Sequence, residues 1–234
     1  MHVMIVGAHC GDAELQAGAI AHKYAKAGYR VTFLHLTAGE KGAPPHMDVG
    51  DYLQQKIQEA EQAAAVLGGT SITLDYRDAE LSFDDQIVKE VAMIFRKEKP
   101  EFVITHWENS MHPDHALCQK IVQDAWLKAS LPGFELGGYP PHGLKRVFHS
   151  ENWEDMDGYE PDIYVDVTDS FDAYLQALNC YWFIMNSTSF RYYEYYKALG
   201  TLRGCLARTT YAQTLKNSRG LHVRREGYIP GFPV

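Results

Sequence analysis

The first half of this sequence alternates short apolar runs with longer amphipathic stretches, and this alternation constrains the fold more than any other feature. The apolar runs have the length and character of buried strands and lie at residues 2–8, 30–37, 71–76 and 100–107. Each is followed by helical periodicity, at residues 13–28, 52–69, 84–99 and 112–129. Strands separated by helices pair in parallel through right-handed crossovers. The sequence therefore predicts an α/β fold, with a doubly wound, mostly parallel, Rossmann-like sheet and helices on both faces.

The pattern loosens after about residue 130, where a Gly/Pro-rich loop follows the fourth helix. Beyond it lie two strand candidates and then two helix candidates, at residues 144–150, 162–168, 170–185 and about 190–215. The tail at 225–234 reads as irregular. No repeat, low-complexity segment or clear linker divides the 234 residues. We expect one domain over residues 1–234, although two small domains would also fit this length.

Composition and charge exclude several classes of protein. The chain has 22 Lys and Arg against 30 Asp and Glu, and the net charge of −8 argues against a partner that is a nucleic acid or an anionic membrane. No stretch approaches 18 apolar residues, and no basic segment with a signal-type apolar run opens the sequence, so we expect no membrane span. The four cysteines are far apart, which favours a reduced compartment. Together these features predict a cytoplasmic protein.

Two histidine-containing segments follow the first and fourth predicted strands. His9 and Asp12 lie in "AHCGDAE", and His112, Asp114 and His115 lie in "HPDH". Ligands bind beyond the carboxyl ends of the strands in open α/β sheets, where these two segments can meet. His9, Asp12 and His115 would form a three-ligand set typical of catalytic zinc, although iron or manganese would also fit. His112 would stand beside the open position as a proton donor, with Asp114 orienting its imidazole.

The two motifs in combination resemble the PIG-L/LmbE-type metal-dependent N-deacetylases, which act mostly on N-acetylglucosamine derivatives. The family motif A-H-P-D-D-[AE]-E corresponds to residues 8–14, and its H-x-D-H motif to residues 112–115. Weaker matches, such as "KIQEAEQAAAVLG" and "LRGCLARTTYAQ", extend the similarity over nearly the whole chain. The resemblance implies a zinc-dependent hydrolase that removes an N-acyl group from an amino-sugar conjugate. It also favours a homo-trimer or hexamer.

The resemblance also implies roles for single residues. His112 would polarise the substrate carbonyl or protonate the leaving amine, with Asp114 behind it. Lys56 stands near a position where the family often has a substrate-binding Arg, and Asp78 where a family Asp meets a sugar hydroxyl. Arg203 lies in a segment that the family places near the site. For Lys56, Asp78 and Arg203, an ordinary packing or solvated role is equally open.

The chain departs from the family motif at Gly11, which stands where the family has its general-base aspartate. A positioned base contributes typically ~10²–10⁴-fold to the rate. The missing side chain should leave a space beside the activated water, for a second water, a larger substrate or a carboxylate from another loop. The candidate carboxylates are Glu14, Glu40 and Glu108.

Three functional hypotheses follow from the sequence. The first is a slow or divergent metal-dependent amide hydrolase. The second is a catalytically silent homologue that binds a sugar-like ligand, a metal or both. The third, a nucleotide-binding α/β domain, is weak because "GAHCGD" lacks the glycine fingerprint of dinucleotide-binding folds.

Overall fold

The computed structural model describes residues 1–153 and 157–218, so the predicted irregular tail at 225–234 lies outside the described residues. The strands of this part of the chain are β1 (His2–His9), β2 (Arg30–Thr37), β3 (Thr70–Tyr76), β4 (Phe102–Thr105), β5 (Arg146–Ser150), β6 (Ile163–Asp166) and β7 (Ala212–Asn217). The α-helices are α1 (Asp12–Lys26), α2 (Val49–Val66), α3 (Asp85–Glu98), α4 (Pro113–Ser130), α5 (Phe171–Leu178), α6 (Trp182–Asn186) and α7 (Tyr192–Ala207). None of these helices is both long enough and apolar enough to cross a membrane.

All seven strands belong to one sheet, in the order β3-β2-β1-β4-β5-β7-β6. Strands β1 to β5 pair in parallel, whereas β7 runs antiparallel to both β5 and β6. The predicted α/β fold with a mostly parallel sheet is therefore confirmed.

The central strand β1 is apolar along nearly its whole length because helices cover both faces of the sheet. Val3 and Ile5 point into the core beneath α1, α2 and α5. Met4 and Val6 point into the opposite core, beneath α3 and α4. This strict alternation fixes the register of β1, since a shift by one residue would exchange its two sets of core side chains.

The direction in which the sheet is built reverses next to β1. The chain adds β2 and β3 on one side of β1, and then crosses to place β4 on the other side. Val6 of β1 pairs with Thr105 at the end of β4, so the two strands finish side by side. Such a reversal opens a crevice at the carboxyl ends of the strands. The adjacency predicted for the two histidine-containing segments follows from this topology.

The helices predicted in the second half are wrong in part. The helix expected at about 190–215 ends at Ala207, because the next residue, Arg208, has a left-handed backbone (φ 60°), and the residues of β7 form a strand instead. The neighbours β5 and β6 supply this strand with backbone partners that no local pattern reveals. The helix expected at 170–185 is broken between α5 and α6, where Tyr181 adopts an extended backbone and its ring is fully buried.

Arg96 of α3 fastens the end of α4 and the loop that follows it. Its side chain is 2% exposed. The guanidinium donates hydrogen bonds to backbone carbonyls of Lys128, Ala129, Leu131, Phe134 and Tyr139. A guanidinium offers five N–H donors in a fixed plane, so one side chain can saturate a cluster of carbonyls at a helix end.

We predict that Arg96→Met lowers the free energy of unfolding by about 3 kcal/mol, because several buried carbonyls would lose their donors at once. Urea denaturation measures the change. The control is Lys97→Met on the same helix, an exposed position at which the change should stay below about 0.5 kcal/mol. Equal effects of the two substitutions would contradict this account of Arg96.

Candidate active site

The loop between β1 and α1 places two potential metal ligands, His9 and Asp12, next to each other. Gly11 lies between them with a φ of 107°, a conformation that favours glycine. The Asp12 Oδ2 atom accepts a hydrogen bond from the His9 N–H (2.8 Å) and lies 3.0 Å from His9 Nδ1. The tight turn therefore places an imidazole nitrogen and a carboxylate oxygen together at the end of the strand.

The start of α4 brings a second imidazole to the same point. His112 caps this helix, its Nδ1 accepting a hydrogen bond from the Asp114 N–H (3.2 Å), and Pro113 occupies the first turn. His115 projects from that turn. Its Nε2 atom lies 3.2 Å from Asp12 Oδ2 and 3.3 Å from His9 Nδ1. The sequence-predicted ligand atoms are thus mutually adjacent.

The spacing of these three atoms fits a metal ion. Zinc binds histidine nitrogen and carboxylate oxygen at about 2.0–2.1 Å in tetrahedral geometry, which separates neighbouring ligand atoms by about 3.3 Å. The separations here are 3.0, 3.2 and 3.3 Å. His9, Asp12 and His115 could therefore hold one divalent cation and leave a fourth position open.

The charge of Asp12 suits this role. Its side chain is 14% exposed. Burial alone would raise the pKa of the carboxyl, but the charges of His115 and His9 and the hydrogen bonds of nearby imidazoles hold it well below its usual value. Asp12 is consequently an anion at the centre of a histidine cluster.

The imidazoles of His106 and His112 both stack on the ring of His115. Its ring centroid lies 4.1 Å from that of His106 and 4.6 Å from that of His112, with interplanar angles of 16° and 20°. A metal lies in the plane of an imidazole that binds it, and nearly parallel stacked rings do not share such a plane. The stacking therefore disfavours binding of His106 or His112 to the ion held by His115, and His9, Asp12 and His115 form the preferred set, although ring nitrogens of His106 and His112 also lie within 4.8 Å of other candidate ligand atoms. This geometry is compatible with the predicted position of His112 beside the ligand set.

His106 was not singled out by the sequence analysis. It directly follows β4, is fully buried, and its Nε2 accepts a hydrogen bond from the Ala8 N–H (3.0 Å). Burial, together with the charge of His115, lowers the pKa of His106 to about 3. It is thus a neutral ring that supports His115. The available signal was its position at the end of the fourth strand, on the same edge of the sheet as His9.

Two carboxylates lie behind His9. Its Nε2 atom is 3.1 Å from Asp78 Oδ1 and 3.3 Å from Asp114 Oδ2. Acceptors at Nε2 keep a ring hydrogen there, so a metal that displaced the proton from Nδ1 would find that nitrogen directed towards Asp12, an arrangement typical of metal-binding histidines. Backbone groups hold both carboxylates, since Asp78 accepts from the Lys41 N–H (3.0 Å) and Asp114 from the Ala79 N–H (2.8 Å).

These contacts revise the predicted partners of both aspartates. The carboxylate of Asp114 contacts His9, whereas its hydrogen bond with His112 runs through its own backbone N–H. Asp114 thus orients His9 rather than His112, because the helix start turns its side chain towards β1. Asp78 lines the pocket described next, and contact with a sugar hydroxyl stays a prediction.

A pocket of about 590 Å³ opens above these residues. The aromatic side chains of Trp153, Trp182, Phe183 and Tyr192 line it. The rings of Trp153 and Phe183 each meet Tyr192 edge to face, with centroids 5.5 and 5.4 Å apart. The end of α6 and the segment that follows it, residues 186–189, add a polar rim of Asn, Ser and Thr side chains. The cavity has the size and character of a small-molecule site.

Lys56 lines this pocket, as the sequence analysis expected for a substrate-binding residue. It is 4% exposed, donates a hydrogen bond to the Cys10 carbonyl (2.6 Å), and its Nζ lies 3.8 Å from the Phe183 ring centroid. Burial lowers its pKa. Its contact with a ligand remains a prediction. Burial also raises the pKa of the Cys10 thiol to about 12, and its Sγ lies 3.5 Å from the Thr73 hydroxyl.

Arg203 is not among the described residues that line this pocket. Its guanidinium forms a bidentate pair with the buried Glu151, with Nε 2.8 Å from Oε2, beside a separate small cavity. The planar fork of the guanidinium matches the carboxylate and leaves it committed to the scaffold. This placement does not support contact of Arg203 with a substrate in the described pocket, and that contact stays a prediction.

The empty space expected beside Gly11 is occupied by Phe183. A Cβ atom at Gly11 would lie 2.8 Å from the edge of that ring. Residue 11 could carry a side chain only if α6 or the ring moved. The prediction of a vacant base position is therefore wrong, because an aromatic side chain from a distant part of the chain packs there.

The candidate replacement carboxylates also lie elsewhere. Glu14 is fully buried, with Oε1 3.4 Å from His35 Nε2, and Glu40 accepts a hydrogen bond from the Asp78 N–H (3.1 Å). Glu108 is exposed. None of the three lines the pocket in the described part of the chain, so none stands in for the missing base.

The chain combines a doubly wound α/β fold with a His–Asp–His cluster at the switch point of its sheet, beneath a small-molecule pocket. This combination is typical of metal enzymes. The family model described as PIG-L, GlcNAc-PI de-N-acetylase, matches residues 4–126. The chain therefore belongs to the PIG-L family.

Two relatives of this chain are named for different reactions, one a hydration and the other a deacetylation. A 4-oxalmesaconate hydratase of Pseudomonas putida is 26% identical over 241 residues, covering 98% of this chain and 89% of the relative. A diacetylchitobiose deacetylase of Thermococcus kodakarensis is 28% identical over 185 residues, covering 75% of this chain and 67% of the relative. The crystal structure of 4-carboxy-2-hydroxymuconate hydratase from Pseudomonas putida superposes with a TM-score of 0.86 at 24% identity, covering 97% of this chain and 99% of that one. That similarity concerns the fold.

We predict that Gly11→Ala lowers the free energy of unfolding by about 2–3 kcal/mol, since the new Cβ adds backbone strain and a clash with Phe183. In a Phe183→Ala background the clash disappears and the cost of Gly11→Ala should fall to about 1 kcal/mol. Denaturant titration of the wild type, Gly11→Ala, Phe183→Ala and the double variant gives the double-mutant cycle.

Gly28→Ala is the matched control. Gly28 also has a positive φ (83°), but a Cβ there would meet nothing within 4 Å. Its cost should be the same with and without Phe183. If Gly11→Ala costs equally much in both backgrounds, Phe183 does not fill the space beside residue 11.

Proposed function

We propose that this chain is a metal-dependent hydrolase that removes an N-acyl group from an amino-sugar derivative, with His9, Asp12 and His115 holding one zinc ion. The observation that carries the proposal is the near-tetrahedral spacing of His9 Nδ1, Asp12 Oδ2 and His115 Nε2, at 3.0–3.3 Å, beneath a pocket of about 590 Å³. Membership of the PIG-L family and the deacetylase relative support the reaction class.

A divalent ion in such a site supplies Lewis-acid polarisation and lowers the pKa of a water molecule. The residues of the chain then have to orient the substrate and move protons. With Gly11 in the usual base position, we assign to His112 the polarisation of the substrate carbonyl. Its imidazole lines the pocket with its centroid 4.8 Å from that of His9. Burial and the charges of His115 and His9 lower its pKa, so His112 is neutral near pH 7. Because Nδ1 accepts the Asp114 N–H, the ring hydrogen lies on Nε2, which can donate a hydrogen bond to the substrate carbonyl oxygen.

The pocket walls support a ring-shaped substrate. Trp153, Phe183 and Tyr192 present aromatic surface to the cavity, on which the apolar face of a sugar ring can pack. The polar rim at 186–189 and the carboxylate of Asp78 offer hydrogen-bonding partners for hydroxyl groups. An N-acetyl amino-sugar conjugate combines both features.

A second candidate is the hydration of an unsaturated carboxylic acid. The observation in its favour is Gly11 with Phe183 packed beside it, an arrangement without the carboxylate that a typical deacetylase of this family uses. Lys56 places a cation beside the pocket, where a substrate carboxylate would find a partner. The hydratase relative covers nearly the whole chain. A catalytically silent binder remains the alternative to both reactions.

The metal site gives a direct prediction. We expect the purified protein to bind about one zinc per chain, and we expect His9→Ala and His115→Ala to lose it, because two protein ligands seldom retain zinc. Elemental analysis after gel filtration measures the content. His22→Ala is the control, since this α1 histidine contacts the Leu67 carbonyl and should leave the metal in place. Equal zinc in all four proteins would refute the site.

The reaction is tested with two substrate panels, N-acetyl amino sugars and unsaturated di- and tricarboxylic acids. The proposal expects amine release from the first panel. His112→Gln should lower that rate by ~10²–10³-fold while zinc content stays constant, because it removes the imidazole that donates to the substrate carbonyl and not a ligand. Water addition to the second panel alone would establish the hydratase candidate instead. Turnover of neither panel by the zinc-loaded protein would favour the silent binder.

A further inference from the structure

Tyr52 is a buried tyrosine whose hydroxyl group has no hydrogen-bond partner in the described part of the chain. Its side chain belongs to α2, is 1% exposed and lines the pocket of about 590 Å³. The hydroxyl groups of buried tyrosines usually find a partner, as those of Tyr159, Tyr174 and Tyr196 do here. A phenylalanine ring would pack equally well at position 52, so packing does not account for the hydroxyl group.

The hydroxyl group of Tyr52 is reached from the pocket. Among the described residues, a few polar side-chain atoms without a partner are fully enclosed, and the hydroxyl oxygen of Tyr181 is one of them. The hydroxyl oxygen of Tyr52 does not belong to this set. Because the Tyr52 side chain is almost wholly buried and lines the pocket, the accessible part of its hydroxyl group faces the cavity. A ligand in the pocket can therefore pair with it.

Helix α2 holds Tyr52 in place in its first turn. The Asp48 side chain caps the helix and accepts hydrogen bonds from the N–H groups of Gly50 (2.8 Å) and Asp51 (3.3 Å). The Tyr52 N–H donates to the Asp48 carbonyl (2.9 Å). Lys56 follows four residues later on the same face of the helix and lines the same pocket. A rigid element thus presents the hydroxyl group to the cavity, as specific recognition requires.

The hydroxyl group of Tyr52 acts as a donor because it keeps its proton. Burial and the charge of Glu59 raise its pKa to about 12, with further contributions from Tyr192 and Asp78. Asp78 lines the same pocket and offers carboxylate oxygens as acceptors. A donor and an acceptor in one cavity suit a ligand with several hydroxyl groups, since each hydroxyl group can both donate and accept.

We propose that Tyr52 binds the substrate directly and that its hydroxyl group donates a hydrogen bond to one hydroxyl group of the amino sugar. The inference rests on the proposed function, from which it takes the amino sugar. A sugar without that hydroxyl group would leave the Tyr52 donor unpaired in the pocket. Sites that hydrogen-bond a ligand hydroxyl group discriminate strongly against analogues that lack it. Tyr52 is therefore a specificity-determining residue.

The test measures the dissociation constant of D-glucosamine, which the proposed reaction releases and does not consume, by NMR titration of the purified protein. Tyr52→Phe should bind it about 5- to 10-fold more weakly than the wild type, because one hydrogen bond is lost. Four analogues, each without the hydroxyl group at C1, C3, C4 or C6, identify the partner. Three of them should show the same weakening, and the fourth should bind both proteins equally within about twofold.

Tyr174→Phe is the matched control. The Tyr174 hydroxyl donates to the Leu15 carbonyl (2.8 Å), and Tyr174 is not among the described residues that line the pocket. This variant should unfold at a lower urea concentration and bind D-glucosamine within about twofold of the wild type. Tyr52→Phe should do the reverse, because its hydroxyl group has no partner in the described protein to lose. It should unfold at the same urea concentration as the wild type.

Unchanged binding of D-glucosamine to Tyr52→Phe would overturn the proposal and leave the metal site and the reaction class standing. Equal weakening with all four analogues would also overturn it, since a hydrogen bond to one hydroxyl group cannot survive removal of that group. If the wild type binds none of these sugars, the proposed amino-sugar substrate fails and the role of Tyr52 fails with it.

Discussion

One carboxylate, that of Asp12, holds the centre of this structure together. Its Oδ2 accepts the backbone N–H of His9 and lies within 3.2 Å of ring nitrogens from both His9 and His115. A largely buried anion is costly unless it is paired and hydrogen-bonded. The end of β1, the start of α1 and the start of α4 therefore converge on Asp12, and the pocket forms above the point where they meet.

The histidines around this anion are held in ways that serve different purposes. His106 and His112 support the two faces of His115, and Asn152 contacts its edge. His9 is held from behind by Asp78 and Asp114. The two candidate histidine ligands thus each direct a ring nitrogen at the Asp12 carboxylate. Such preorganisation is what a catalytic metal site requires from its scaffold.

Much of the fold and part of the site were predictable because their signals are local. The strands and helices of the first half have clear periodicity, and parallel strands necessarily end at one edge, which brought His9 and His115 together. The rest depends on contacts distant in sequence. Nothing near Gly11 indicates that Phe183 fills the space beside it. Strand β7 reads as helix because only β5 and β6 make it a strand. Arg203 pairs with Glu151, a partner that no spacing reveals.

The central claim is that a metal ion binds between His9, Asp12 and His115, without a sulfur ligand and without His106 or His112. X-ray absorption spectroscopy of the zinc-loaded protein tests it most directly. The account predicts nitrogen and oxygen neighbours at about 2.0–2.1 Å, with multiple scattering from two imidazoles. A sulfur neighbour at about 2.3 Å, which would implicate Cys10, or the signature of three or more imidazoles, would contradict it.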